Sequence, residues 1–127
     1  MTLAEVRSPQ TASRFLPNTY RGIHIGHTRS AWWFRFKLQK EPAANVSGGQ
    51  HLPTYFIEFN KPGIHAIDLY IPQESDTGET PKIKWKLKQT GMGRPWASRD
   101  IPFRSYILQL PDTFAESDYF YVRIQSV

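Results

Sequence analysis

AWWFRF, at residues 31–36, has the alternation of side chains that decides the fold class of this chain. Successive side chains of an extended strand point to opposite faces. Trp32 and Phe34 therefore share one face, and Trp33 and Arg35 share the other. The stretch predicts a β-strand whose inner face is apolar, and whose outer face carries a large aromatic ring and a guanidinium that does not point into the core.

Two later runs repeat this arrangement. In YFYVRIQ the outer face carries Tyr121 and Arg123. In IHAIDLYI it carries Asp68 and Tyr70. Plain solvent-facing strands more often carry Lys, Glu, Thr and Ser. The combined set instead resembles the lining of a small-molecule or sugar site, where aromatic faces stack on ligand carbon and charged groups fix the orientation.

Short alternating runs fill most of the chain and are separated by clusters of Pro, Gly, Asn and Asp. We expect strands at 20–27, 31–40, 54–60, 64–71, 82–89, 104–110 and 118–126. Helix signals are nearly absent, so the pattern predicts an all-β protein, an antiparallel sandwich or barrel. Residues 1–15, with Pro9 and several Ser and Thr, are expected to form a flexible N-terminal arm ahead of one domain at 16–127.

Size and composition are those of one folded domain. The chain has 127 residues, of which 39% are hydrophobic and 14% aromatic, and it contains no cysteine, which excludes disulfides and thiolate metal sites. No run of about 18 apolar residues and no signal-peptide core is present. The formal net charge of +5 and the pI near 9.6 require that anionic partners be considered.

Sequence motifs for catalysis are absent, and we expect no enzyme activity, no cofactor and no metal. His24 and His27 have a His-x-x-His spacing, but GIHIGH reads as a strand or turn, in which residues three apart point to opposite faces. No zinc-protease, nucleophile-elbow or phosphate-loop motif occurs, and no close carboxylate pair stands out.

The run KIKWKLK, at residues 82–88, bears on a nucleic-acid function. A basic β-barrel that binds nucleic acid or an anionic polymer could use its lysines on phosphates and Trp85 as a stacking platform. By alternation, however, Trp85 shares a face with Ile83 and Leu87, opposite the lysines, and is expected to be buried. The pattern therefore argues against a nucleic-acid partner.

Five stretches, in this order, resemble a known family, the type 2 extracellular domain of bacterial seven-transmembrane receptors with diverse intracellular signalling modules. They are WFRF at 33–36, YFIEF at 55–59, IDLYI at 67–71, the loop TGMGRPWASRDIPFRSYILQLP at 90–111, and YFYVRIQS at 119–126. The loop departs from the family pattern, with Met92 and Gly93 after Gly91 and with Trp96 where Phe is usual.

The resemblance implies a jelly-roll β-sandwich, similar to carbohydrate-binding modules, that lies in the periplasm ahead of a seven-helix membrane region. It implies a sensor that relays to a histidine kinase or diguanylate cyclase module. The implied ligand is a small polar molecule, a sugar first and an acidic metabolite second. The outer-face residues and the loop give these candidate ligand-binding residues: Trp33, Arg35, Asp68, Tyr70, Trp96, Arg99, Tyr121 and Arg123.

Two readings of the aromatic and arginine face remain open beside a ligand pocket. The first is a structural network of Arg–Asp ion pairs packed under a loop or the terminal arm. The second is an interface with another protein or with a second copy of the chain.

Overall fold

The computed structural model describes residues 1–18, 30–39, 54–60, 63–73, 84–101 and 105–126. Within these ranges the chain forms six strands and a few short helical turns. The strands are β1 (Ala31–Phe36), β2 (Phe56–Phe59), β3 (Ile64–Gln73), β4 (Lys84–Thr90), β5 (Tyr106–Gln109) and β6 (Phe120–Ser126). Each lies where alternation predicts a strand. The strand expected at 20–27 lies outside the described residues.

The strands form two antiparallel sheets. One has four strands in the order β1-β6-β3-β4, and the other pairs β2 with β5. The inner faces of the two sheets share one core, in which Ile67 and Leu69 of β3 are fully buried and Leu108 of β5 is 1% exposed. The ring of Phe120 is stacked on Phe36 at 5.2 Å. The expected all-β class is confirmed, and the sandwich follows from this shared core.

Strand β4 is turned over relative to its predicted orientation. Its lysines were expected to face solvent and its Trp and Leu to face the core. The register places Lys88 opposite Leu69, and it places Leu87 opposite Tyr70. Because directly paired residues project to the same face, the lysines lie on the core side and Trp85 and Leu87 on the outer side. Leu87 is 43% exposed and Trp85 is half-buried, so the prediction that this strand face points to the core and buries Trp85 was wrong.

The N-terminal arm forms two single-turn helices, α1 (Leu3–Val6) and α2 (Pro9–Ala12). A capping box starts α1, since the Thr2 hydroxyl accepts from the Glu5 amide and the Glu5 carboxylate accepts from the Thr2 amide. Val6 is fully buried, which anchors the arm. The flexibility expected for residues 1–15 stays a prediction.

Candidate functional site

The outer face of the four-stranded sheet brings together six of the eight candidate residues. Strand register aligns them in two rows that cross the sheet. The first row is Trp33, Arg123, Asp68 and Gln89, and the second is Arg35, Tyr121, Tyr70 and Leu87. Alternation along each strand puts both rows on the side away from the core. We refer to this side of the sheet as the outer face.

Asp68 is the centre of the first row and is only 6% exposed. Its carboxylate lies 2.7 Å from a guanidinium nitrogen of Arg94 and 3.5 Å from one of Arg123. The side-chain amide of Gln89 also donates to it at 3.0 Å. A buried carboxylate needs such partners, since an unpaired one is strongly disfavoured. These contacts make the Asp68 cluster a structural element that holds three strands and a loop together.

Arg94 comes from the loop that follows β4 and was not among the candidate residues. In addition to its ion pair with Asp68, it donates to the carbonyl oxygens of Ile67 at 2.8 Å and Thr90 at 3.2 Å. The loop is held in place because the amide of Met92 donates to the carbonyl of Ile64 at 2.8 Å. The pairing of Arg94 thus depends on how the loop docks on β3, which no local sequence signal describes.

Trp33 and Tyr70 stack on each other beside this cluster, with ring centroids 5.8 Å apart and an interplanar angle of 23°. Burial raises the pKa of the Tyr70 hydroxyl, and the Asp68 charge adds to the increase, while Arg123 and Arg94 act in the opposite direction. The hydroxyl is therefore protonated at neutral pH and can donate a hydrogen bond. Tyr70 covers one face of the Trp33 ring, and the opposite face of that ring is not part of the stack.

Arg35 has a different environment from the arginines beside Asp68. Its guanidinium carbon lies 4.5 Å from the ring centroid of Phe15 and 4.4 Å from that of Tyr119. One of its nitrogens donates to the carbonyl oxygen of Ala12 at 3.4 Å. Among the described residues, no carboxylate lies within ion-pair distance of it. Arg35 is held by aromatic rings rather than by an opposite charge.

The N-terminal arm covers the part of the outer face next to β4. Arg7 lies over the Trp85 ring at 4.8 Å and approaches the Asp118 carboxylate at 3.9 Å. Trp85 in turn meets the edge of Tyr121 at 5.9 Å. The reading of this face as a structural layer under the terminal arm therefore describes Trp85 and Tyr121 well. This reading does not describe Trp33, which lies on β1 at the opposite edge of the four-stranded sheet.

An open groove of about 1180 Å³ runs between the arm and β1. Trp33 and Arg35 line it from the outer face, and Trp32 lines it from the opposite side of the strand. Phe15 and Arg14 line it from the arm. The groove joins aromatic surface to guanidinium donors, which is the composition of small-molecule sites.

The sequence model of the family described as 7TMR-DISM extracellular 2 matches residues 1–127, the whole chain. The chain belongs to this family. No curated protein and no solved structure matches it.

As a member of the 7TMR-DISM family, the chain is an extracellular sensor domain of a seven-transmembrane receptor, and it is linked to the membrane region of that receptor. In the part of the chain that the structure describes, no helix is long and apolar enough to cross a membrane. Within the same residues, no group of three or more His, Cys, Asp or Glu could hold a metal ion. The pair His24 and His27 lies outside the described residues.

Two candidate residues of the 7TMR-DISM domain, Trp96 and Arg99, lie away from the outer-face rows. Trp96 begins a short 3₁₀ helix (Trp96–Ser98) and is 60% exposed. The Arg99 guanidinium lies 4.1 Å from the Trp96 ring and 4.6 Å from Tyr106 of β5, in the second sheet. The structure does not bring these two residues together with the other six, and their role in binding stays a prediction.

Sequence reasoning missed several groups that complete the outer face. Gln89 and Trp85 could have been found from alternation along β4 if the strand had been assigned to the outer face. Tyr119 shares the alternation of Tyr121 and Arg123, and its ring contacts the Arg35 guanidinium. No signal in the sequence indicates the arm contact of Phe15.

Proposed function

We propose that this receptor domain senses a small polar ligand, with a carbohydrate as the leading class, in the groove between the arm and β1. The observation that carries the proposal is the placing of Trp33 and Arg35, both half-buried, in one open groove. Neighbouring aromatic rings hold both side chains in place, since Tyr70 stacks on Trp33 and Tyr119 contacts Arg35. Such pre-arranged aromatic and donor groups bind a ligand with little loss of side-chain entropy.

The chemistry of the groove suits a sugar. A pyranose ring has C–H faces that stack on an aromatic ring, and its hydroxyls accept and donate hydrogen bonds. Trp33 and Trp32 offer the aromatic surface, and Arg35 offers donors. An acidic metabolite is the second ligand class, since a guanidinium forms forked hydrogen bonds with carboxylates.

In the whole receptor, we infer that the domain lies in the periplasm and passes the binding event to the membrane region. The groove has the arm on one side and β1 on the other, so a ligand there would contact both parts. A change in how the arm packs on the sheet would offer a route for the signal. The output module, a histidine kinase or a diguanylate cyclase, lies beyond this chain in the proposal.

A nucleic-acid function has weaker support than a small ligand. The stacking platform it needs, Trp85, is covered by the Arg7 guanidinium and by the edge of Tyr121. Lys88, on the core side of the same strand, is engaged by Asp100 at 2.6 Å. The ring that would stack on a base and this lysine are therefore already engaged within the domain, which weakens the support for single-strand binding through this strand.

The test is a thermal-shift and NMR screen of the isolated domain against a panel of sugars, amino acids and organic acids at millimolar concentration. We expect at least one sugar to bind the wild-type domain and to lose affinity in Trp33→Ala. The matched control is Phe56→Ala, which removes an aromatic ring that is 48% exposed on β2 in the other sheet. If no compound binds, and the outer face is instead buried between two copies of the chain, the domain is an interaction module and the proposal is wrong.

A further inference from the structure

The outer face holds two kinds of arginine. Arg94 and Arg123 share the charge of Asp68, at 2.7 Å and 3.5 Å. Arg35 is half-buried against two aromatic rings and, among the described residues, has no carboxylate partner. A charge that is partly removed from water without a counter-charge is unfavourable. The fold tolerates Arg35 in this state at the edge of the groove.

The groove itself is positively charged. Its lining from the described residues includes Arg14 and Arg35 but no Asp or Glu. Lys37, directly after the end of β1, places its ammonium 4.7 Å from the Tyr119 ring that also contacts Arg35. An anionic group entering this groove would meet attraction without a competing internal carboxylate.

Arg35 also has donors available for an anion. A guanidinium that packs against aromatic rings can still offer its planar fork of N–H groups to a carboxylate. Only one of them has a partner among the described residues, the Ala12 carbonyl oxygen at 3.4 Å, which is long for a hydrogen bond. The remaining N–H groups form the fork that matches a carboxylate.

We propose that the ligand class is an acidic sugar, whose carboxylate binds Arg35 while its ring lies on Trp33. This inference rests on the proposed function and narrows it. Trp33 and Arg35 are two residues apart on one face of β1, which separates their Cα atoms by roughly 6.6 Å. A single pyranose carrying a carboxylate is therefore matched to the pair. A long polyanion is a poorer match, because Asp68 already neutralises part of the charge of its two arginines.

The experiment compares glucuronate, glucose and acetate as NMR titrants of the ¹⁵N-labelled wild-type domain. These probes carry ring and charge, ring alone, and charge alone. Glucuronate should bind at least about tenfold more tightly than either of the others, which is the gain expected from one charge-assisted hydrogen-bond pair. Raising the ionic strength from about 0.05 M to 0.5 M should weaken glucuronate binding and leave glucose binding unchanged.

Two variants then separate the contribution of Arg35 from the net charge of the domain. Arg35→Gln should bind glucuronate and glucose equally. Lys84→Gln removes the same unit of charge from an exposed position on β4 and should keep the wild-type preference. Retained glucose binding by Arg35→Gln shows that the variant is folded, and the wild-type comparison stands without either variant.

Each other outcome contradicts a defined part of the account. Equal affinity of the wild-type domain for glucose and glucuronate overturns the acidic-sugar inference and leaves the proposed sugar sensor standing. If acetate binds as tightly as glucuronate, the sugar ring contributes nothing to the affinity, and the inference that the ligand is an acidic sugar is wrong. If the domain binds none of the three probes and no compound of the wider panel, the proposed function fails and the inference fails with it.

Discussion

Replacing Asp68 by Asn should destabilise the domain strongly, because it leaves two guanidinium groups facing each other without the carboxylate between them. Asp68 is 6% exposed, and the Arg94 and Arg123 side chains are 25% and 28% exposed. Breaking a fully buried ion pair by removing one partner costs about 3–5 kcal/mol. Since about a quarter of each arginine lies in water, we expect a smaller loss of unfolding free energy, about 2–3 kcal/mol.

This loss of unfolding free energy corresponds to a decrease in the melting temperature. An unfolding entropy of about 2.1 cal/mol/K per residue, over 127 residues, predicts a decrease in Tm of roughly 7–11 °C. Thermal and urea unfolding followed by circular dichroism would measure it. The matched control is Asp112→Asn, an exposed position that has no ion pair among the described residues, and its Tm should change by less than about 2 °C.

A double-mutant cycle that combines Asp68→Asn with Arg94→Gln tests whether Arg94 is the ion-pair partner through which Asp68 stabilises the fold. If the 2.7 Å contact between Arg94 and Asp68 carries the effect, the double variant should lose less stability than the two single losses added together, with a coupling above about 1 kcal/mol. A Tm of Asp68→Asn equal to that of the control would refute the reasoning, because the carboxylate would then not be needed to hold the strands.

Three further variants test other parts of the fold. Gly91→Ala should lower the free energy of unfolding, measured with urea, by at least about 2 kcal/mol, because φ is +138° at Gly91 and a Cβ atom would lie 2.8 Å from the His65 carbonyl carbon. A smaller loss would show that the turn can move to make room for the Cβ atom. Burial acts to raise the pKa of Asp100, but the hydrogen bonds from Lys88 and from the Gln109 amide, with the charges of Lys88 and Lys86, together outweigh it and lower the net pKa below its usual 3.8. The ionised Asp100 carboxylate therefore stabilises the fold above its pKa in the unfolded state, and this stabilisation is lost as the pH falls through its pKa in the folded state. The difference in unfolding free energy between wild type and Asp100→Asn should shrink below about pH 4 when unfolding is measured as a function of pH. A constant difference would contradict the lowered pKa of Asp100. Trp96→Ala should change the unfolding free energy by less than about 1 kcal/mol, because the side chain is 60% exposed, and a collapse of the fold would show that the loop packs as core.

The strands could be predicted from the sequence because each follows a period of two. The run expected at 64–71 is β3 (Ile64–Gln73), and the run expected at 118–126 is β6 (Phe120–Ser126). The same period placed Arg35 and Tyr121 on the face away from the core. The six strand residues of the site were therefore found from local pattern alone.

The orientation of β4 could not be predicted in the same way. An apolar strand face was assumed to point to the core, but the arm covers part of the outer face and makes a second apolar layer there. Trp85 packs in that layer against Tyr121 and Arg7. The lysines on the other side reach out at the open edge of the sheet, as Lys88 does toward Asp100. Pairing across the sheet, rather than the pattern of one strand, decides this orientation.

The loop after β4 was also beyond sequence reasoning. Arg99 was the candidate, yet Arg94 is the residue that reaches Asp68. The difference arises because backbone hydrogen bonds dock the turn on β3, with the Gly93 amide donating to the His65 carbonyl at 3.0 Å. Loop conformations of this kind depend on tertiary contacts that no short motif encodes.

The most direct test of the central claim uses the indole N–H signals of the four tryptophans in a ¹⁵N-labelled sample, titrated with the best-binding sugar. Trp33 and Trp32 line the groove, Trp85 lies under the arm, and Trp96 lies in the loop beside the second sheet. We predict saturable shifts for the Trp33 and Trp32 signals and none for Trp96. Saturable shifts of Trp96 with an unchanged Trp33 signal would place the ligand at the loop and contradict the groove as the binding site.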